Sequence, residues 1–156
     1  MAEANTEKFS FVLPVALSGT GRDGDDLLRA RLLWMSMDRF CDKSAVAKTL
    51  VVTPGGDMRQ VAQAAADFRH GLNIEVVDER ELCPELSAEP ATLSKWPKPN
   101  LGWFRQQLIK LAAHAHLDTP FYMTLDADVL FVRAFGYRLL VSEGRGTVGT
   151  LRPDDI

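Results

Sequence analysis

The chain has 156 residues, 46% of them hydrophobic, and a formal net charge of -3 at pH 7. This length and composition predict a single globular domain over residues 1–156. The negative charge and the lack of a Lys/Arg-rich block argue against nucleic-acid binding, which needs a basic surface. The first eight residues do not resemble a secretory signal, and no apolar run approaches the roughly 18 residues of a membrane span. We therefore expect a cytoplasmic chain.

Strand-like and helix-like patterns alternate from the start. Residues 9–17 are apolar and of strand length, and Pro14, which cannot donate a backbone hydrogen bond, predicts an interruption or an unpaired side in this strand. A loop at residues 18–24 precedes a predicted helix over residues 25–40. The residues at helical spacing in that helix are Leu28, Leu32 and Met35, with Leu27 and Trp34 beside them.

The alternation continues with a strand at residues 49–53, a helix that Asp57 is predicted to cap and that ends near Gly71, and a strand at residues 73–77. Residues 83–100 contain four prolines and are either an active-site flap or an irregular connection. This order predicts right-handed crossovers and an α/β, Rossmann-like fold: a mainly parallel sheet with helices on both faces. Functional loops are then expected at the carboxyl ends of the strands.

The next predicted helix covers residues 101–116 and is capped by Asn100. Its predicted buried stripe is Leu101, Phe104, Leu108, Leu111 and Ala115. Gln106, Gln107 and Lys110 fall on other faces. These polar residues either look toward a bound diphosphate, with Lys110 neutralising a phosphate oxygen, or form an ordinary solvated face.

The stretch that follows, residues 121–132, is an apolar run of strand length interrupted by Asp126 and Asp128. An ionised carboxylate in such a run is costly to bury unless something binds it. Side chains alternate along a strand, so the two aspartates are predicted to share one face. Two hard oxygen ligands suit Mg²⁺ or Mn²⁺, which are usually held by carboxylates together with diphosphate oxygens. We predict that Asp126 and Asp128 bind such a metal.

Residues 19–24 match the dinucleotide motif G-x-G-x-x-G between a strand and a helix. That motif lays a pyrophosphate on the helix N-terminus, but Asp23, Asp25 and Asp26 would repel one here. Three interpretations stay open: a nicotinamide or flavin site, a flexible loop, and a loop that touches a nucleotide base or ribose. The two cysteines, Cys41 and Cys83, are isolated and are interpreted as reduced thiols without chemistry.

Together, Gly-Trp-Phe-Arg-Gln-Gln-Leu-Ile-Lys-Leu at residues 102–111 and Thr-Leu-Asp-Ala-Asp-Val-Leu-Phe-Val at residues 124–132 resemble a GT-A glycosyltransferase. The chain is most similar to an uncharacterised bacterial group with a Gly-Trp-x-x-Gln-Gln-x-x-Lys-Leu helix and an Asp-x-Asp strand. The resemblance implies a nucleotide-sugar donor whose diphosphate is bridged by Mn²⁺ or Mg²⁺ to Asp126 and Asp128. It also implies that Arg22, Gln107 and Lys110 contact the donor. The acceptor would be a saccharide or glycan precursor.

In such enzymes the half that follows the Asp-x-Asp strand supplies the acceptor pocket and, in inverting enzymes, the general base. This chain ends at Ile156, so the resemblance implies a nucleotide-sugar-binding half. A second copy or a partner chain is then expected to cover its exposed sheet. One alternative is a non-catalytic nucleotide-binding or assembly module. Another is a haloacid-dehalogenase-like phosphatase, although that family places a small polar step where Val129 and Leu130 stand here.

Overall fold

The computed structural model describes residues 7–17, 25–87 and 101–147. Its elements are β1 (Phe9–Pro14), α1 (Asp25–Phe40), β2 (Val46–Thr53), α2 (Met58–Ala65), α3 (Arg69–Leu72), β3 (Ile74–Asp78), α4 (Glu79–Leu82), α5 (Leu101–Ala112), β4 (Tyr122–Thr124), α6 (Tyr137–Leu140), β5 (Val141–Ser142) and β6 (Arg145–Gly146). The predicted glycine-rich loop with Arg22, the predicted cap Asn100 and most of the Pro-rich loop lie outside the described residues. No helix in the described ranges is long and apolar enough to cross a membrane.

The first four strands form one sheet in the order β3-β2-β1-β4, and each neighbouring pair is parallel. Strands β2 and β3 add to one side of β1, whereas β4 adds to the other side. After β3 the chain therefore crosses to the other side of β1, so that β1 and β4 are the neighbouring strands at which the winding of the sheet reverses, as in doubly wound α/β folds. The predicted α/β, Rossmann-like fold is confirmed. Strands β5 and β6 form a separate antiparallel pair.

The side chains of β1 alternate between two buried clusters, one on each face of the sheet. Phe11 and Leu13 belong to the cluster that includes α1 and α2 residues, and Phe11 also makes an edge contact with Phe135. Val12 belongs to the other cluster, which includes Ile109 of α5 and Leu82 of α4. Helices therefore cover both faces of the sheet, as the sequence predicted.

Helix α1 packs through only part of the apolar set named from the sequence: Trp34 is buried and Leu27 packs against the core. Leu28, Leu32 and Met35 lie on its outer face and are 56%, 43% and 54% exposed. Its fully buried residues are Ala30, Leu33, Trp34 and Met37. This second set is spaced i, i+3, i+4, i+7 and gives a wider apolar stripe, which explains why it faces the core.

Helix α5 is also rotated relative to the prediction. Ile109 and Ala113 are buried, whereas Leu111 is 69% exposed and Ala115 is exposed. The predicted stripe was therefore wrong at Leu111 and Ala115, although Leu108 does pack against the core. Since Ile109 and Ala113 lie one turn apart and face the sheet, the rotation places the neighbouring Lys110 beside the chain that leaves β4.

Candidate functional site

Strands β1 and β4 part near their carboxyl ends, and Pro14 explains why. The Ser10 amide donates to the Phe121 carbonyl at 3.2 Å, and the Val12 carbonyl accepts from the Leu125 amide at 2.8 Å. The even-numbered residues of β1 thus direct their backbone groups toward β4. Pro14 is the next in this alternation and has no N–H, so the ladder to β4 does not continue. This agrees with the interruption predicted at Pro14.

The two aspartates lie in a turn beyond the end of β4 rather than on the strand. Strand β4 ends at Thr124, and the Val129 amide donates to the Asp126 carbonyl at 3.1 Å. The prediction that Asp126 and Asp128 share one face of a strand was therefore wrong, because β4 and its pairing with β1 end before Asp126. Ala127 and Val129 pack against the core, while Asp126 and Asp128 are exposed. The turn, with its apolar residues inward, still leaves both carboxylates on the solvent side.

A cavity of about 240 Å³ opens where the two strands part. Its walls come from residues 14–16 at the end of β1, Asp26 and Arg29 in the first turns of α1, Gln106 of α5 and residues 126–128. The cavity lies at the carboxyl ends of β1 and β4, where the winding of the sheet reverses. Parallel α/β sheets bind their ligands in the crevice at this position.

The charged groups around the cavity are of both signs. The Lys110 ammonium donates to Oδ1 of Asp126 at 2.6 Å, and the Arg29 guanidinium lies 3.5 Å from Oδ1 of Asp26. Asp128 adds a further carboxylate to the lining. The cavity therefore offers carboxylates to a cation and basic groups to an anion, which suits a ligand that carries both charges.

The donor set at Asp126 and Asp128 fits a hard divalent cation that a bound ligand helps to hold. In the described part of the chain, no group of three or more His, Cys, Asp or Glu residues would hold a metal ion. Mg²⁺ and Mn²⁺ do not need such a cage, because they commonly use one or two carboxylates together with substrate phosphates and water. Two aspartates therefore match the type and number of protein ligands that such an ion commonly has.

The structure brings together some of the predicted site residues. Lys110 of α5 contacts Asp126, so these two predicted site residues lie together. Gln106 lines the cavity, whereas Gln107 is not among its lining residues. Arg22 lies outside the described residues.

The sequence interpretation missed Arg29 as a site residue and treated Asp26 only as a residue that repels a pyrophosphate. The order of elements in the sequence could have identified these two residues. In this fold the helix after β1 begins beside the carboxyl end of β1, so its first turns reach the crevice.

A larger cavity of about 390 Å³ lies elsewhere on the protein. Its lining includes Glu7 and Lys8 before β1, Asp42 and Ser44 before β2, and the start of α6. It therefore lies at the amino ends of the strands. Because ligands of parallel α/β sheets bind at the carboxyl ends, the smaller cavity is the candidate functional site.

Cys41 gives no catalytic alternative. Both Cys41 and Cys83 are buried. Burial, with a smaller contribution from the nearby Asp42 carboxylate, raises the pKa of the Cys41 thiol to about 12. Because the thiolate is the reactive form, Cys41 is protonated and unreactive at neutral pH. This supports the interpretation that Cys41 carries no chemistry.

Comparison with known proteins gives a family but no function. No curated protein and no solved structure matches the chain significantly. A family of unknown function, DUF6492, matches residues 6–152. This match covers β1 to β6 and the whole cavity. The chain therefore belongs to the DUF6492 family.

Proposed function

We propose that this chain is a glycosyltransferase-like domain that binds a nucleotide-sugar donor through Mn²⁺ or Mg²⁺ at Asp126 and Asp128. The observation that carries the proposal is the cavity between the ends of β1 and β4, which both aspartates line and Lys110 adjoins. Its position at the reversal of the sheet favours a nucleotide ligand. The helix and strand motifs that resemble GT-A glycosyltransferases favour a nucleotide sugar in particular.

Different residues around the cavity would bind different parts of the metal–donor complex. Asp126 and Asp128 would hold the metal, while Lys110 and Arg29 would pair with diphosphate oxygens. The Gln106 amide would donate to or accept from a polar group of the donor. When bound, the metal would act as a Lewis acid that stabilises the negative charge of the departing nucleoside diphosphate.

Donor binding is the part of the activity that we assign to the described residues. Their role is to hold the diphosphate by electrostatic pairing and to keep it at the edge of the sheet. Transfer to a saccharide or glycan precursor belongs to the same proposal, and we assign no catalytic base. We also retain the prediction that a second copy or a partner chain covers an exposed apolar surface of this domain.

Isothermal calorimetry with uridine and guanosine diphosphates tests the proposal. In the presence of Mn²⁺ or Mg²⁺ we expect binding heat that EDTA abolishes. The double variant Asp126→Ala, Asp128→Ala should weaken binding by more than about 100-fold, because even indirect metal contacts are worth about 10–100-fold. A matched control is Asp67→Ala, Asp118→Ala, which removes two exposed carboxylates that do not line the cavity.

Equal binding by wild type and the Asp126/Asp128 double variant would contradict the metal assignment. Tight, metal-independent binding of a nicotinamide dinucleotide would instead favour the glycine-rich loop as a dinucleotide site. Metal-dependent hydrolysis of a phosphate ester that requires Asp126 would favour the phosphatase alternative. A glycosyltransferase-like domain should show neither result.

A further inference from the structure

Lys110 and Asp126 form an ion pair, but their side chains differ in exposure to solvent. The side chain of Lys110 is 12% exposed, whereas that of Asp126 is 59% exposed. The backbone of Lys110 is also held, because the Tyr122 hydroxyl donates to its carbonyl oxygen at 3.1 Å. Tyr122 begins β4, so Lys110 is fixed relative to the strand that leads to Asp126. Lys110 is therefore a cation whose position is set by the fold.

A divalent ion at Asp126 would share the carboxylate with this ammonium group. Mg²⁺ binds oxygen ligands at about 2.0–2.1 Å, so an ion held by Asp126 would be close to the Lys110 amine, which lies 2.6 Å from Oδ1 of that aspartate. Two cations at this separation repel each other, the more so where the site is partly shielded from water. Lys110 therefore opposes the binding of a bare metal ion.

A diphosphate reverses this effect. Its negative charge offsets both cations, and its oxygens give the Lys110 ammonium new charge-assisted hydrogen-bond acceptors. The same lysine that disfavours the bare ion then favours the ion together with the diphosphate. Arg29 is less suited to this role, because it lies beside Asp26 rather than beside either proposed metal ligand.

We infer that Lys110 makes metal binding at Asp126 and Asp128 depend on the diphosphate, so that metal and nucleotide bind as a unit. This inference rests on the proposed function and adds to it a residue that couples the two parts of the ligand. Lys110 then weakens the binding of the metal ion alone and strengthens the binding of the metal ion together with the diphosphate. The coupling is a difference between affinities that two separate titrations measure.

The test compares the wild type with Lys110→Met, which keeps most of the aliphatic stem and removes the charge. The first probe is Mn²⁺ alone, followed by the paramagnetic resonance signal of the free ion. We expect the variant to bind it about 3–10-fold more tightly, as when one nearby like charge is removed. The second probe is uridine diphosphate at saturating Mn²⁺, measured by calorimetry. We expect the variant to bind it about 10–100-fold more weakly.

Two further variants control for charge and for folding. Lys43→Met removes a lysine whose ammonium also lies 2.6 Å from an aspartate, Asp38, away from the cavity, and both affinities should remain at the wild-type level. Lys110→Arg keeps the positive charge, so its affinity for Mn²⁺ alone should stay near that of the wild type. Thermal melting establishes that each variant is folded, and Lys110→Gln replaces Lys110→Met if the latter does not fold.

Opposite changes in the two affinities support the inference. If removal of the Lys110 charge moves both affinities in the same direction, or moves neither, the inference is overturned while the proposed function stands. If the wild type does not bind uridine diphosphate with Mn²⁺, or the Asp126/Asp128 double variant binds as well as the wild type, the proposed function fails and the inference fails with it. The double variant therefore separates the two failures.

Discussion

The backbone amide of Leu17 donates a hydrogen bond of 2.9 Å to Oδ2 of Asp57. Leu17 lies just after β1, and Asp57 precedes α2 in the turn after β2. The bond therefore joins the chain leaving β1 to the neighbouring strand-to-helix turn. Asp57 was predicted to cap α2, but its side chain makes no capping hydrogen bond. Its carboxylate instead holds the segment that continues from the cavity wall at residues 14–16.

Replacement of Asp57 tests this connection. Asp57→Ala should lower the free energy of unfolding by about 1–2 kcal/mol, because a partly buried backbone donor loses its charged acceptor. Asp57→Asn retains an oxygen acceptor and should lose less. Urea denaturation measures the stability, and hydrogen exchange of the Leu17 amide measures the local effect. Unchanged protection of the Leu17 amide in Asp57→Ala would mean that this hydrogen bond does not hold the segment.

The rotation of α1 predicts contrasting effects at two adjacent leucines. Leu33 is fully buried and Leu32 is 43% exposed. Leu33→Ala should destabilise the protein by about 2–5 kcal/mol, because it removes buried methyl groups and leaves a cavity. Leu32→Ala should change stability by at most about 0.5 kcal/mol. Chemical denaturation of both variants checks this, and a larger loss at Leu32 would show that the outer face of α1 is the one that packs.

The ion pair between Glu79 of α4 and Arg105 of α5 should respond unequally to removal of its two members. The Glu79 side chain is 8% exposed and that of Arg105 is 34% exposed. Arg105→Met leaves a buried carboxylate without its partner, so it should cost about 1–3 kcal/mol of stability. Glu79→Gln should cost less, because the guanidinium left behind is partly hydrated.

Unfolding in urea measures both variants, and the double variant shows whether the two losses depend on each other. A greater loss in Glu79→Gln than in Arg105→Met would contradict the expected asymmetry. The pair also bears on the site, because Arg105 precedes the cavity-lining Gln106. Arg105→Met should therefore also weaken nucleotide binding if the pair helps to position α5.

The alternation of strands and helices was predictable because it depends on local patterns. Runs such as residues 49–53 are apolar at strand length, and crossover helices between such runs require parallel strands. The interruption at Pro14 was also predictable, since a proline cannot donate a hydrogen bond in any sheet. Asp126 and Asp128 stood out because two carboxylates interrupt an apolar run.

The faces of α1 and α5 were decided only by the tertiary structure. Helix α1 carries two apolar stripes, and periodicity alone does not say whether Leu32 or Leu33 packs on the sheet. Similarly, the choice of Ile109 over Leu111 depends on contacts with strands far away in the sequence. The same rotation of α5 sets Lys110 beside Asp126.

The candidate site was predictable in its residue types but not in its assembly. The sequence by itself determined that Asp126, Asp128 and Lys110 are charged groups of the kind that the proposed metal and diphosphate would need. Only the tertiary structure placed the aspartates in a turn after β4, added Arg29 to the cavity and left Gln107 out of its lining. The physical reason is that local sequence fixes which groups are present, whereas the separation of β1 from β4 at their carboxyl ends and the packing of two helices fix the distances between them.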